Sequence, residues 1–332
     1  MAMMRASLTG DYQMLTLLKL LKDGKFHSGQ DLGVALGVSR SAVWKQLQQL
    51  EIALGVEVHK VRGRGYRLAH PISLLNEVEV RDMTPSLGWP VQVFESLDST
   101  NAAAMRFIGL KHPLPLVVLA ERQTAGRGRR GRKWVSPFGE NVYYSLALRI
   151  EGGMRQLEGL SLLVGLAVLK TLRDSGVKAA GLKWPNDVLV GRRKIAGVLL
   201  ELLGDPADVC HVVIGVGINV NMRASDEVDQ EWTSVHIETG ASSDRNELVA
   251  RLNKNIAAYL AVHQAQGFGA YRDEWEANHL WQGRAVTLLA GPEAIEGIVL
   301  GVDAQGALQL QVGDLKKSFS GGELSLRLRN DT

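Results

Sequence analysis

Apolar residues recur at helical spacing through the first seventy positions. Met14, Leu15, Leu18 and Leu21 fall on one side of a segment from Asp11 to Lys22, which predicts an amphipathic helix. Ser28, with Asp31 three residues later, has the form of a capping box before Leu32, Ala35 and Leu36, and Gly37 closes that short helix. Ser39 caps a third helix whose inward positions are Val43, Leu47 and Leu50. The period then shortens. Val56–His59 and Tyr66–Leu68 read as strands joined through the basic, glycine-rich tip Val61-Arg62-Gly63-Arg64-Gly65. Three helices, a glycine turn and a basic hairpin in this order predict a winged helix-turn-helix over residues 1–70.

A linker-like stretch opens at His70-Pro71, with further prolines at 85 and 90. Beyond it the pattern alternates. Strands are expected at Val91–Phe94, Leu116–Glu121, Asn141–Leu148, Leu182–Val190, Lys194–Leu200 and Val209–Gly215. Helices are expected from the Asp98-Ser99-Thr100-Asn101 cap to Ile108, over Leu157–Ser175, and over roughly 244–266 and 268–277. Turns fall at Gly191-Arg192-Arg193 and Gly204-Asp205. This is a mixed α/β domain with hairpins over 71–282, not a regular alternation. From Gly283 to 332 five short strands (Ala285–Leu289, Glu296–Val302, Leu308–Val312, Lys317–Ser320, Leu324–Arg327) separated by Gly and Asp turns predict a small SH3-like β-barrel. The fold class is α+β.

Charge changes this picture at one end. The chain carries +3 overall, but residues 1–70 hold ten Lys/Arg against five Asp/Glu, whereas the remainder holds 28 against 30. A basic module on a near-neutral body suits nucleic-acid binding, or else is a solvated basic face. On the outward side of the third helix and on the wing, Ser39, Arg40, Ser41, Lys45, Gln48, Arg62 and Arg64 are candidate DNA contacts. Trp44 on that helix is either core or contact. The single cysteine, Cys210, lies in an apolar run, reads as buried and inert, and leaves no intrachain disulfide. The longest charge-free apolar stretch, Gly159–Leu169, is too short to span a bilayer, and the N-terminus shows no secretory pattern, so a cytoplasmic, non-membrane protein is expected.

The candidate chemistry concentrates in four motifs. Gly126-Arg127-Gly128-Arg129-Arg130-Gly131-Arg132-Lys133-Trp134 places five cations and three glycines in nine residues. Glycines let successive backbone N–H groups form an anion nest, and arginine offers planar bidentate hydrogen bonds, so the stretch suits a carboxylate meeting a polyphosphate. It is not a Walker A loop. Alone it could equally be a solvated loop. Lys183-Trp184-Pro185-Asn186-Asp187, Lys194-Ile195-Ala196-Gly197 and Gly215-Val216-Gly217-Ile218-Asn219 place Lys183, Asn186, Lys194 and Asn219 near the ends of neighbouring strands. Two lysines brought close in a dry pocket need an anion between them.

With the terminal run Gly321–Arg327 (GGELSLR), these motifs resemble those of biotin–protein ligases. The winged helix makes the resemblance one to the bifunctional type, which is both a biotin–[acetyl-CoA-carboxylase] ligase and a biotin operon repressor. The resemblance implies a central domain related to class II synthetase-like folds. It implies an ATP-dependent reaction that forms biotinyl-5′-AMP and passes biotin to a lysine of a biotin carboxyl carrier protein. It implies a repressor of biotin-synthesis genes that dimerises on operator DNA when biotinyl-5′-AMP is bound. By the same resemblance Ser99, Thr100, Asn101 and Gln123 surround biotin's ureido ring, with Gly126, Arg127, Gly128, Arg129, Lys194 and Gly197 along the rest of biotin. Arg127, Arg129, Arg132, Trp134, Lys183, Asn186 and Asn219 serve ATP, Trp134 against adenine. Lys194, Arg129 and Lys183 are the catalytic cations. Mg2+ is held by phosphate oxygens, with no protein ligand named. A lipoate ligase or octanoyl transferase on a similar scaffold is the rival reading, and GRGRRG speaks against it. The edge of the central sheet near Val198–Leu203 is the expected dimer surface.

Overall fold

The computed structural model describes residues 14–151, 153–204, 210–321 and 324–329. Asp11, Asp205, Val209 and the Gly322-Glu323 pair, each part of an expected element or motif, lie outside them. The chain divides into two compact units. One runs to Leu75 and includes Pro137–Glu140; the other is Asn76–Ser136 with the chain from Asn141 onward.

In the first unit residues 14–21 form helix α1, followed by α2 (Gly29–Leu36) and α3 (Arg40–Leu54). The Ser28 and Ser39 side chains accept the N–H groups of Asp31 and Ala42, as the capping pattern demands. Gly37 ends α2 at φ 67°, a left-handed conformation that favours glycine. Leu17, Leu18, Leu21, Leu32, Val43, Leu47 and Leu50 close into one buried cluster with Tyr66 and Leu68 of the wing. The wing is β1 (Val58–Val61) paired antiparallel with β2 (Gly65–Leu68), two residues later in its start than the hydrophobic pattern suggests. His27 bridges to Tyr66 on the other side of β2. That close approach requires glycine at 65, where a Cβ would lie 2.0 Å from the His27 carbonyl oxygen.

The second unit is built on a seven-stranded sheet in the order β3-β4-β5-β9-β8-β7-β6. The strands are β3 (Val91–Leu97), β4 (Leu116–Gln123), β5 (Val142–Ile150), β6 (Ala180–Lys183), β7 (Asp187–Val190), β8 (Arg193–Gly204) and β9 (Cys210–Ile218). Only β3 and β4 are parallel. β4, β5 and β9 are buried on both faces, which explains their unbroken apolar runs. Helix α5 (Thr100–Gly109) packs on β4, β5 and β9, and α6 (Leu160–Asp174) packs on β6, β7 and β8. Cys210 is fully buried and unpaired.

The expected single strand Leu182–Val190 is a hairpin instead, with Lys183 opposite Asp187. Pro185 has no N–H for a ladder, so the apolar run folds back at Trp184-Pro185-Asn186. Two short helices escaped the pattern: α4 (Glu77–Asp82), capped by Asn76, and α7 (Val235–Thr239), capped by Ser234. After α8 (Arg245–Gln266), the segment expected as one helix is a 3-10 turn, Phe268–Tyr271, followed by α9 (Arg272–Ala277).

The C-terminal strands β10 (Ala285–Ala290), β11 (Glu293–Val302), β12 (Leu308–Val312), β13 (Leu315–Phe319) and β14 (Leu324–Leu328) form an antiparallel sheet in the order β13-β12-β11-β10-β14. Among the described residues no ladder joins β13 to β14, so this SH3-like sheet is not closed by hydrogen bonds. It is bound to the larger sheet through the Trp184 indole N–H, which donates to the Gly306 carbonyl at 3.2 Å.

Candidate active site and nucleic-acid surface

A cavity of about 310 Å³ opens over β5, β9, β8 and β7. Its lining brings together Ser99, Thr100, Asn101, Gln123, Arg127, Gly128, Arg129, Arg132, Trp134, Lys183, Asn186, Lys194, Gly197 and Asn219. Of the residues expected in the site only Gly126 is absent from that lining. It is buried behind it, where a Cβ would meet the Trp134 carbonyl at 2.5 Å and Ser136 Oγ at 2.8 Å.

One end of the cavity is neutral and internally hydrogen-bonded. Ser99 caps α5, so Thr100 and Asn101 begin the helix and reach into the pocket. Gln123 Oε1 accepts from the Thr100 N–H at 2.9 Å and from its hydroxyl at 3.2 Å, and Gln123 Nε2 donates to Ser136 Oγ at 3.1 Å. The Ser145 hydroxyl lies 2.8 Å from Thr100 Oγ1 and 2.5 Å from Asn101 Oδ1. Asn101 Nδ2 donates to Glu201 at 2.7 Å, and the same carboxylate oxygen takes Arg127 at 3.0 Å. Neither Ser145 nor Glu201 stood out in the sequence.

The floor is made of glycines because two side chains lie flat on it. A Cβ at Gly215 would sit 2.4 Å from Asn101 Oδ1, and one at Gly217 would sit 2.5 Å from the Trp134 ring. The indole N–H of Trp134 is buried without a partner against Gly217, where a Cβ would lie 2.8 Å from Nε1.

The other end is charged. Opposite β7 the β8 strand carries a bulge: Val188 pairs with Ala196 but Leu189 pairs with Lys194, leaving Ile195 as the extra residue. A bulge re-aims side chains. Here it turns Lys194 to the face of Gly197, whose missing Cβ leaves room for the Lys194 chain 3.1 Å away. Lys194 Nζ reaches Asp187 at 2.6 Å and lies 5.5 Å from the Trp134 ring centre. Lys183 Nζ is 3.7 Å from the other Asp187 oxygen. The anion that the two lysines require is therefore supplied by the chain itself, at the last position of KWPND. Burial works against ionisation of Asp187, but Lys194, Lys183 and Arg129 outweigh it and hold the carboxyl below its ordinary range. Burial pulls both Lys183 and Arg129 down, with Asp187 opposing in each.

Arg129 donates to Asn186 Oδ1 at 3.1 Å and to the Leu324 carbonyl at 3.4 Å, fastening the loop to the hairpin turn and to β14. Asn186 Nδ2 in turn donates to the Val198 carbonyl at 2.6 Å. Asn219 Nδ2 donates to the Thr233 carbonyl at 3.0 Å. The sequence reading missed Trp232, whose segment pairs with Lys194 and which lines the cavity. Beneath the site the fully buried Arg245 pairs with Glu121 of β4 and donates to the Asn141 carbonyl at 2.9 Å. Among the described residues no group of three His, Cys, Asp or Glu could hold a metal ion.

In the first unit Ser39, Arg40, Ser41, Lys45, Gln48, Arg62 and Arg64 are all exposed on α3 or the wing. Trp44 is also on the surface, 40% exposed, with Lys60 Nζ 5.9 Å from its ring. The question of core or contact is thus answered against core. The Arg64 guanidinium stacks over Phe26 at 4.3 Å, which steadies the wing tip.

Comparison with known proteins bears on both units. The biotin/lipoate A/B protein ligase family matches residues 93–219, an HTH domain 13–67, and the biotin protein ligase C-terminal domain 283–327. The chain is 43% identical over 316 residues to the bifunctional ligase/repressor BirA of Escherichia coli, covering 94% of this chain and 97% of that one. The chain belongs to the bifunctional biotin ligase/repressor family. Another relative, the bifunctional ligase/repressor BirA of Bacillus subtilis, is 33% identical over 89% of this chain and 93% of its own length. Among solved structures, the biotin protein ligase from Aquifex aeolicus in complex with biotin and ATP superposes with a TM-score of 0.64 at 31% identity. The match covers 72% of this chain and 99% of that one. No described helix is long and apolar enough to cross a membrane.

Proposed function

We propose that this member of the bifunctional ligase/repressor family is an ATP-dependent biotin–protein ligase and a biotin-responsive repressor. One observation carries the reading: a single cavity joins a neutral, hydrogen-bonding corner to a cationic one across a glycine floor. Biotin has that polarity, a neutral ureido ring at one end and a carboxylate at the other. Ser99, Thr100, Asn101 and Gln123 supply hydroxyl and amide partners for the ureido N–H and C=O groups. Gly126, Gly128 and the loop backbone, with Lys194, hold the carboxylate. Arg127, Arg129, Arg132, Lys183 and Asn186 face phosphate oxygens. Asn219 borders the nucleotide. Trp134, lying between the ureido corner and Lys194, walls biotin's chain as well as the adenylate.

In the first step a biotin carboxylate oxygen bonds to the α-phosphorus of ATP. The bond to the bridging oxygen breaks, and pyrophosphate leaves with the electron pair. Two anions meet, so Lys194, Lys183 and Arg129 stabilise charge that grows in the transition state. Mg2+ would be held by phosphate oxygens, since Asp187 between the lysines is already neutralised, and it would screen the polyphosphate. In the second step the ε-amine of a lysine on the biotin carboxyl carrier protein of acetyl-CoA carboxylase attacks the biotinyl carbonyl. AMP departs and the amine loses a proton.

Biotin-dependent ATP–pyrophosphate exchange, with lipoate and octanoate as controls, tests the enzyme. Exchange with lipoate and none with biotin would reverse the assignment. For the repressor, the exposed cations of α3 and the wing serve operator DNA of biotin-synthesis genes in the cytoplasm. A winged helix covers one half-site, so a homodimer is required. Beyond Gly197 the outer edge of β8 is left unpaired by β7, and Leu202 and Leu203 are exposed there. That edge is our candidate for self-association promoted by biotinyl-5′-AMP. Sedimentation with and without the adenylate checks it, and an unchanged monomer–dimer constant would refute it. Gel shifts should weaken steeply with salt. Arg64→Ala should lower the log–log salt slope by about 1 if the side chain meets one phosphate, whereas an unchanged slope would place the wing off the DNA.

A further inference from the structure

Beyond the charged end of the cavity a second opening continues outward. It shares Lys183, Asp187, Lys194 and Leu326 with the main cavity, then runs between the Gly191-Arg192 turn and strand β14 to the surface beside Trp281. Its inner walls carry Lys183 and Lys194, its middle Arg192 and Arg327, and its mouth Arg284 and Arg329. Two acids line it, Asp187 and Glu231. Asp187 is already held by the lysines. Glu231 lies 3.4 Å from Arg192 in a pair about two-thirds exposed on each side, which an incoming anion can exchange. Arg284 and Arg327 are exposed and make no ion pair among the described residues, whereas Arg329 at the mouth is paired with Glu296 at 2.8 Å, again an exposed pair that an incoming anion can exchange. The Trp281 ring forms the floor, with Lys183 Nζ 5.1 Å from its centre.

The strand order gives the cavity a direction. The neutral corner sits at β4, β5 and β9, Lys194 on β8, Asp187 on β7, Lys183 on β6, and the groove beyond. A carboxylate that enters from the neutral corner and attacks the α-phosphorus in line expels the leaving group away from itself. That direction is the groove.

We propose that this groove is a binding and exit path for inorganic pyrophosphate, with Arg192 and Arg284 as its outer, pyrophosphate-holding cations. The proposal rests on the adenylate-forming reading above. The walls explain why the product leaves this way: each step outward offers a fresh, less buried cation, so the anion moves toward water without crossing an uncharged stretch. The adenylate stays behind under the loop at 126–134.

The test uses the full chain and the Arg192→Gln/Arg284→Gln double variant. Both residues are exposed, so the fold is not at stake. Calorimetric titration with inorganic pyrophosphate, without biotin or ATP, should show binding weakened about tenfold in the variant, the scale of lost charge-assisted hydrogen bonds. Product inhibition of biotin-dependent adenylation by pyrophosphate should weaken by a similar factor while the KM for ATP is unchanged. Equal pyrophosphate affinity in the two proteins overturns the proposal, as does a wild type that binds none. A parallel rise in the ATP KM would mean that the groove holds the triphosphate tail instead of the departing product. A change confined to the KM for the carrier protein would mean that the groove takes an acidic protein segment. Either result also overturns the proposal. A wild type that binds pyrophosphate through these arginines but forms no adenylate would count against the ligase reading and leave the groove standing.

Discussion

The two ends of the cavity solve the problem of buried polarity in opposite ways. At the neutral end Thr100, Asn101, Gln123, Ser136 and Ser145 hydrogen-bond one another, with the Asn101 amide held from behind by Glu201, so the corner keeps its shape without a ligand. At the charged end the cations are satisfied through one shared carboxylate, Asp187, and through a loop whose Arg130, Arg132 and Lys133 are exposed to solvent. A network of neutral groups positions, whereas a cluster of like charges around a single acid waits for more negative charge. On the function proposed above, the first end serves recognition and the second stabilises a transition state.

Removing the central cation should break this contrast most sharply. Lys194→Ala should slow adenylate formation by about 100-fold or more, on the scale of losing one electrostatic stabiliser. Biotin-dependent exchange measures it, and a near-normal rate would take Lys194 out of the chemistry. Next in size is the floor between the ends. Gly217→Ala puts a methyl group where the Trp134 ring lies, and overpacking of that kind should cost about tenfold or more in biotin affinity. Fluorescence titration with biotin reports it, and unchanged affinity would show that the ring can move freely.

Asp187→Asn sharpens the comparison from the charged side. It leaves two lysines without their anion and should cost about 2 kcal/mol of stability, less than for a fully buried pair because Asp187 keeps some exposure. Pyrophosphate should then raise the melting temperature of the variant more than that of the wild type. The folded-state pKa of Asp187 is depressed, so its contribution is present above the unfolded value of about 4 and is lost as pH falls through the folded value. The stability gap between the two proteins should therefore close in acid. A gap independent of pH would mean that the carboxylate charge does not matter. The smallest effect should come from Glu201→Gln, which keeps a partner for Asn101 but frees Arg127. About a twofold to fivefold rise in the biotin KM is expected, as for an exposed ion pair. No change would make Glu201 a bystander.

Much of the fold is legible in the sequence. Periodicity and caps located α2 and α3 because Ser28, Gly37 and Ser39 act locally. The glycine–arginine run alone points nowhere in particular, and it is its company with the Lys183, Lys194 and Asn219 motifs that marks a candidate site. What escaped notice depends on through-space relations. Lys194 faces the pocket only because Ile195 bulges, and a bulge leaves no mark in the order of residues. Asp187 falls inside the expected strand Leu182–Val190, and nothing in the order of residues shows that Lys194 and Lys183 lie on either side of it. Glu201 sits in an apolar-looking strand, and its partners Asn101 and Arg127 are 100 and 74 residues away. The break in Leu182–Val190 was signalled by Pro185, but the apolar residues around it read as one strand.

The burial of Cys210 has a practical consequence. It is the only cysteine in the chain, and in β9, between β5 and β8, it is completely buried. A thiol introduced at an exposed position would thus be the only accessible thiol on the folded protein. A maleimide dye could be attached at Arg130 in the glycine–arginine loop, or at Arg62 on the wing, without first deleting the native residue. Each unit could then carry its own reporter, and the conformational response of the loop to ligand could be followed optically and separately from the wing's response to nucleic acid.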